Sequence, residues 1–191
     1  MKALRSAGVI LIIGAILFAV GSFSPSIGVF WESDEASKLQ LLQEGRSLWQ
    51  ITHLLWIVGA LVTVVGLGLV TYHLRRTRVS LLAFLGFIAV ALGAVVGVWH
   101  LYLRAADATA FVQGGLPDWH YGVYTVLTLL GLAIYGFVYL RAGLPRWLGY
   151  VSIGGAALAF IGFVALQMVW PPLSYYVLTF LAGVVLVRLE E

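Results

Sequence analysis

The sequence predicts an all-α integral membrane protein, one domain over residues 1–191 built as a six-transmembrane-helix bundle with both termini cytoplasmic. Three observations predict it. Hydrophobic residues make up 62% of the 191 residues and charged residues only 10%, where a soluble domain carries about a quarter. The mean hydropathy is +1.02. The few charges fall in clusters, and the apolar stretches between them reach the roughly 20 residues that a bilayer crossing needs.

The elements follow in order. No charge falls between Arg5 and Glu32, which predicts a first helix near 7–29. Lys2 and Arg5 ahead of an apolar run, with Gly21 and Ser22 after it, also fit a signal peptide. The apolar run continues through 27–31, which favours a retained helix. Residues 33–45 read as a short amphipathic helix in a first outer loop. Ser33 is its expected cap, Asp34 and Lys38 its i,i+4 pair, and Gly45 its end. Leu39 and Leu42 would face the bundle or the headgroups. Further helices are expected near 47–74, 79–104 and 119–141. The last apolar stretch is long enough for two crossings, near 147–169 and 172–188, and Pro171-Pro172 divides it at a helix start. The inner connections are short and force antiparallel neighbours. The second long outer loop breaks at Gly114-Gly115 and restarts at Pro117 and Asp118.

Orientation follows from Lys and Arg. Lys2, Arg5, Arg75, Arg76, Arg78, Arg141, Arg146 and Arg188 fall on one side, against Lys38, Arg46 and Arg104 on the other. The first side is expected to be cytoplasmic, and the compact loops suggest the plasma (inner) membrane of a prokaryote. Trp31, Trp49, Trp119, Trp147 and Trp170 sit at expected interfaces, as an aromatic belt does. Ala7, Gly14, Gly21 and Gly28 repeat every seven residues, and Gly86, Gly93 and Gly97 share a stripe. Small residues let helix backbones approach closely in lipid. The alternative for Gly93 and Gly97 is a flat slot for a cofactor ring.

Several function classes are excluded. With 0 cysteines there is no disulfide, iron–sulfur cluster, thiolate zinc site or cysteine nucleophile. The net charge of +3 does not point to nucleic acid, because the basic residues sit at helix ends and form no stripe. No GxGxxG, GxxxxGK[ST] or GxSxG motif occurs. No Asp, Glu, Lys or Arg lies at an expected helix centre, which argues against an ion-coupled carrier.

What remains is a group of polar residues at the outer ends of the helices. His53, His100 and His120 fall at similar depth, with Gln50, Tyr124, Gln167 and Tyr175 near them. Gly93, Gly97, His100, Arg104 and Asp107 succeed one another at i+3 or i+4. Interfacial water and headgroups can satisfy such residues, so a purely structural role is one reading. Arg104 and Asp107 can be a surface ion pair. The leading functional expectation is a histidine-lined outer pocket for electron transfer. It would hold haem b between His53 and His100, and exchange electrons with a quinone or a membrane redox partner. A divalent metal, zinc or copper, could instead use His53, His100 and His120 with Asp107 or water in fourth position. The runner-up is a non-catalytic membrane subunit or lipid- or quinone-binding scaffold. A metal-dependent membrane hydrolase comes third.

Overall fold

The computed structural model describes residues 2–165 and 171–188. The helices are α1 (Lys2–Ser22), α2 (Gly28–Trp31), α3 (Glu35–Glu44), α4 (Arg46–Leu74), α5 (Ser80–Ala106), α6 (Ala108–Val112), α7 (Trp119–Arg141), α8 (Arg146–Ala165) and α9 (Pro171–Arg188), with no strand among the described residues. Five of them, α1, α4, α5, α7 and α8, are long and apolar enough to cross a membrane, and α9 is apolar but shorter. Their outward faces carry Ile13, Leu61, Val95 and Leu158, all exposed. A water-facing helix would place polar residues there. Apolar side chains on both faces fit a lipid bilayer.

Two boundaries differ from expectation. The first helix stops at Ser22 instead of running to 29. Pro25 has no N–H to continue the ladder, Ser24 turns extended, and its hydroxyl accepts from Ser26 N–H at 3.4 Å. A 3-10 turn at Pro25–Ile27 follows, and α2 is a separate turn of helix. The loop helix α3 is capped by Asp34 and not by Ser33, with the Asp34 carboxylate accepting from Ser37 N–H at 2.8 Å. That bond holds the carboxyl below its ordinary pKa. Gly45 does end the helix.

The long helices close into a ring. α1 packs between α4 and α9, α4 meets α5, α5 meets α7, α7 meets α8, and α8 meets α9. Glycine sets the closest approaches. A Cβ on Gly8 would lie 2.7 Å from the Gly183 carbonyl, and one on Gly59 2.9 Å from the Gly14 carbonyl. On the other side of the ring, a Cβ on Gly131 would lie 2.8 Å from the Gly86 carbonyl, and one on Gly149 2.8 Å from the Gly136 carbonyl. Four interfaces are thus backbone against backbone, the contact that small residues permit in lipid. Gly28 does not join this pattern, for it lies beyond α1 and its Cβ would meet nothing within 4 Å.

These contacts also fix direction. Gly8 against Gly183, Leu11 against Gly66, and Gly97 against Tyr124 set α1 antiparallel to α9 and α4, and α5 antiparallel to α7. One end of the bundle therefore collects Arg5, Arg75, Arg76, Arg78, Arg141, Arg146 and Arg188. The opposite end carries α2, α3 and α6. There Val29, Leu42 and Trp49 form a small second core, with Phe30, Phe111 and Val112 against it. In the basic half, Tyr135 OH donates to the Leu67 carbonyl at 3.0 Å and meets Thr71 Oγ1, tying α7 to α4.

The glycine contacts give a direct test. Gly131→Ala must displace Val90 or the Gly86 backbone, and should cost about 1–3 kcal/mol of stability. Gly154→Ala, whose Cβ would meet nothing within 4 Å, should stay within about 0.5 kcal/mol. Denaturant unfolding of both variants in the same detergent reads the difference.

Candidate functional site

The α3/α6 end of the bundle holds a half-open cavity of about 720 Å³. Its walls are mainly apolar, and five of the apolar side chains are large aromatic rings. Phe18 comes from α1, Phe30 from α2, Trp56 from α4, Phe111 from α6, and Phe163 from α8. A few polar groups enter it: Ser22, His100 and Arg104, Tyr121 and Tyr124, and Asp118 at the start of α7. Size, apolar walls and a handful of convergent polar groups are the usual make-up of a small-molecule site.

Local sequence explains the placement. α5 turns its small residues toward α7, so Gly86, Gly93, Gly97, His100 and Arg104 form one buried stripe. Tyr124 lies flat on Gly97, where a Cβ would come within 2.6 Å of its ring. Thr128 and Leu127 cover Gly93 in the same way. The slot beside these glycines is therefore filled by α7 side chains, in keeping with the packing role. Tyr124 OH lies 3.3 Å from Tyr176 OH on α9. Tyr176 stacks on Phe18 at 3.6 Å between centroids.

Arg104 is the unusual residue. It is only 7% exposed, and its Nε and Nη2 have no hydrogen-bond partner. Its guanidinium carbon stands 4.3 Å from the Phe111 ring centre, 4.6 Å from Phe30 and 5.9 Å from Trp49. Cation–π contact of this kind is attractive but supplies no acceptor. The expected surface pair with Asp107 does not form at those atoms. Asp107 is exposed and ends α5, where its carboxylate accepts from Ala110 N–H at 2.8 Å and caps α6.

The three histidines separate into two places. His100 and His120 are neighbours, with ring centroids 6.1 Å apart. Both are buried, and each has an unpartnered Nδ1. Only His100 borders the cavity. His53 is fully buried between Trp49 and Trp56, at 4.2 and 5.0 Å. Its Nδ1 bonds the Trp49 carbonyl at 2.8 Å. A carbonyl only accepts, so Nδ1 donates this bond, and Nε2 is buried without a partner. Among the described residues no group of three or more His, Cys, Asp or Glu side chains is placed to hold a metal ion.

The other expected residues divide as follows. Gln50 is exposed, because the buried face of α4 runs through Trp49, Thr52, His53 and Trp56. Tyr124 lines the cavity. Tyr175 is buried with its hydroxyl unpartnered, but it is Tyr176 that bonds Tyr124. Gln167 lies outside the described residues, as does Trp170. Trp31 and Trp119 are 67% and 61% exposed, as belt residues are, while Trp49 is 1% exposed. The Trp49 indole Nε1–H donates to the Arg104 carbonyl at 2.9 Å. Sequence reasoning missed the aromatic walls at Phe18, Phe30, Trp56, Phe111 and Phe163. It had the signal for Arg104 in the i+3/i+4 stripe from Gly97.

No protein-family model, curated protein or solved structure matches the chain.

Proposed function

We propose that this chain is a six-span membrane protein, with both termini in the cytoplasm, that binds a lipid-like amphiphile at its outer end and carries out no chemistry on it. The cavity carries the reading. At about 720 Å³ it falls within the range of small-molecule pockets, and aromatic walls with few polar groups suit a greasy tail with one polar head. The topology rests on charge. Arg5, the 75–78 turn, Arg141, Arg146 and Arg188 lie at one end of the bundle, and the positive-inside bias directs that end to the cytoplasm. A sixth crossing by α9 is short, since 18 residues span roughly 27 Å at 1.5 Å each. Arg188 can snorkel to the interface. The binding reading belongs with a non-catalytic subunit or scaffold, and a quinone is one amphiphile of suitable shape.

A second reading keeps one observation. His53 Nε2 and His100 Nδ1 are buried without partners, the state in which an imidazole can take a haem iron or a metal. Against it, His53 does not border the cavity that His100 lines.

Native mass spectrometry of the protein in mild detergent tests the binding reading. A 1:1 adduct should accompany the purified protein. Gly122→Phe should abolish it without lowering the melting temperature, because Gly122 lines the cavity and its Cβ would meet only Phe163, at 3.9 Å. An adduct that survives Gly122→Phe places the ligand elsewhere, and no adduct in lipid-retaining preparations sinks the reading. For topology, the chain has 0 cysteines, so single cysteines report cleanly. Gln113→Cys should react with an impermeant maleimide in intact cells and Thr77→Cys should not, and the reverse pattern inverts the orientation. A visible spectrum decides the second reading, where a Soret band that shifts on reduction establishes haem and a flat spectrum removes it.

A further inference from the structure

We propose that the head of the bound amphiphile is an oxyanion, a carboxylate or a phosphate, received by Arg104. The inference rests on the binding reading and deepens it. Nε and Nη2 form one edge of the guanidinium, with two N–H bonds parallel. That edge matches a carboxylate or phosphate bidentately. Both nitrogens are buried and unpartnered, so the edge is vacant. Asp118, the acid on the cavity wall, makes no hydrogen bond to either. His100, one turn before Arg104 on the same face of α5, has a buried and unpartnered Nδ1 and adds a second group from the same wall.

Charge decides between kinds of head. An uncompensated buried cation is costly, and folding it into an aromatic pocket needs a compensating partner at least part of the time. A neutral carbonyl or hydroxyl head would satisfy the N–H groups but leave the charge. An oxyanion removes both costs together. The two nitrogens are closed to water, so no solvent competes once the head is seated. The rings of Phe30 and Phe111, on the short helices α2 and α6, lie 4.6 and 4.3 Å from the guanidinium carbon. The aromatic cavity next to Arg104 then takes the tail.

The test compares probes of one tail length by native mass spectrometry titration: palmitate, hexadecyl phosphate, methyl palmitate, and acetate and inorganic phosphate without tails. Palmitate or hexadecyl phosphate should bind 1:1 and about tenfold or more tighter than methyl palmitate, as a charge-assisted fork should discriminate. Whichever of the two binds tighter identifies the head as carboxylate or phosphate, and the tailless anions should not bind detectably. Arg104→Met should abolish the preference, so that palmitate, hexadecyl phosphate and methyl palmitate bind alike. It should also leave the melting temperature of the ligand-free protein equal or higher, because Trp49 bonds the Arg104 backbone carbonyl and not its side chain. Equal binding of acid and ester by the unsubstituted protein overturns the oxyanion proposal and leaves the amphiphile reading standing. Failure of every tailed probe overturns the amphiphile reading itself. A collapse of the ligand-free melting temperature in Arg104→Met assigns the guanidinium a structural role and overturns the proposal.

Discussion

Helix backbones in lipid have no hydrophobic drive toward one another, because the acyl chains are as apolar as the side chains. What holds this bundle is contact close enough to gain dispersion along the backbone itself. Gly8 with Gly183, Gly14 with Gly59, Gly86 with Gly131, and Gly136 with Gly149 supply it at four interfaces. Toward the α3/α6 end the same faces change their partners. Gly21 lies under Trp56 and Gly97 under Tyr124, so glycine meets an aromatic ring in place of a second backbone. Trp56 and Tyr124 are both cavity walls. The contacts that close the bundle at its basic end and middle thus give way to the side chains that shape a cavity at the other.

The α5 stripe connects packing to the site. Gly86, Gly93 and Gly97 seat α5 on α7, and the same helical face continues to His100 and Arg104. A residue that succeeds glycines on a buried stripe is buried with them, whatever its charge. Trp49 secures the end of that stripe by bonding the Arg104 carbonyl, and the α2–α3–α6 cluster packs over it. The cation is therefore enclosed by the logic of the fold, and its vacant edge is a property of the site and not of a frayed helix end.

The sequence made the spans legible because charge and proline punctuate them. The predicted 119–141 is Trp119–Arg141, and 47–74 and 79–104 differ by two residues or fewer at each end. Helix rotation was less legible. In a chain whose lipid and core faces are equally apolar, hydrophobic periodicity loses its power to say which side is inside. Gln50 and Trp49 show this, since the polar residue is exposed and the expected belt residue is buried. Arg104 and Asp107 looked like an ion pair at i,i+3. The helix ends between them, and Asp107 spends its carboxylate on α6. The break after Ser22 was signalled by Pro25, although the apolar run beyond it concealed the stop. His53 and His100 were expected at similar depth, but only His100 borders the cavity, because position along a helix does not say which way its side chain turns.

An amphiphile with an acidic head is the occupant proposed for the cavity. Solvent extraction of the purified protein, followed by mass-spectrometric identification of what is released, tests it most directly. A single-chain acid or phosphate should be released at close to one per protein, enriched over the lipids of the source membrane. Release of only bulk membrane lipids, in their membrane proportions, would contradict it.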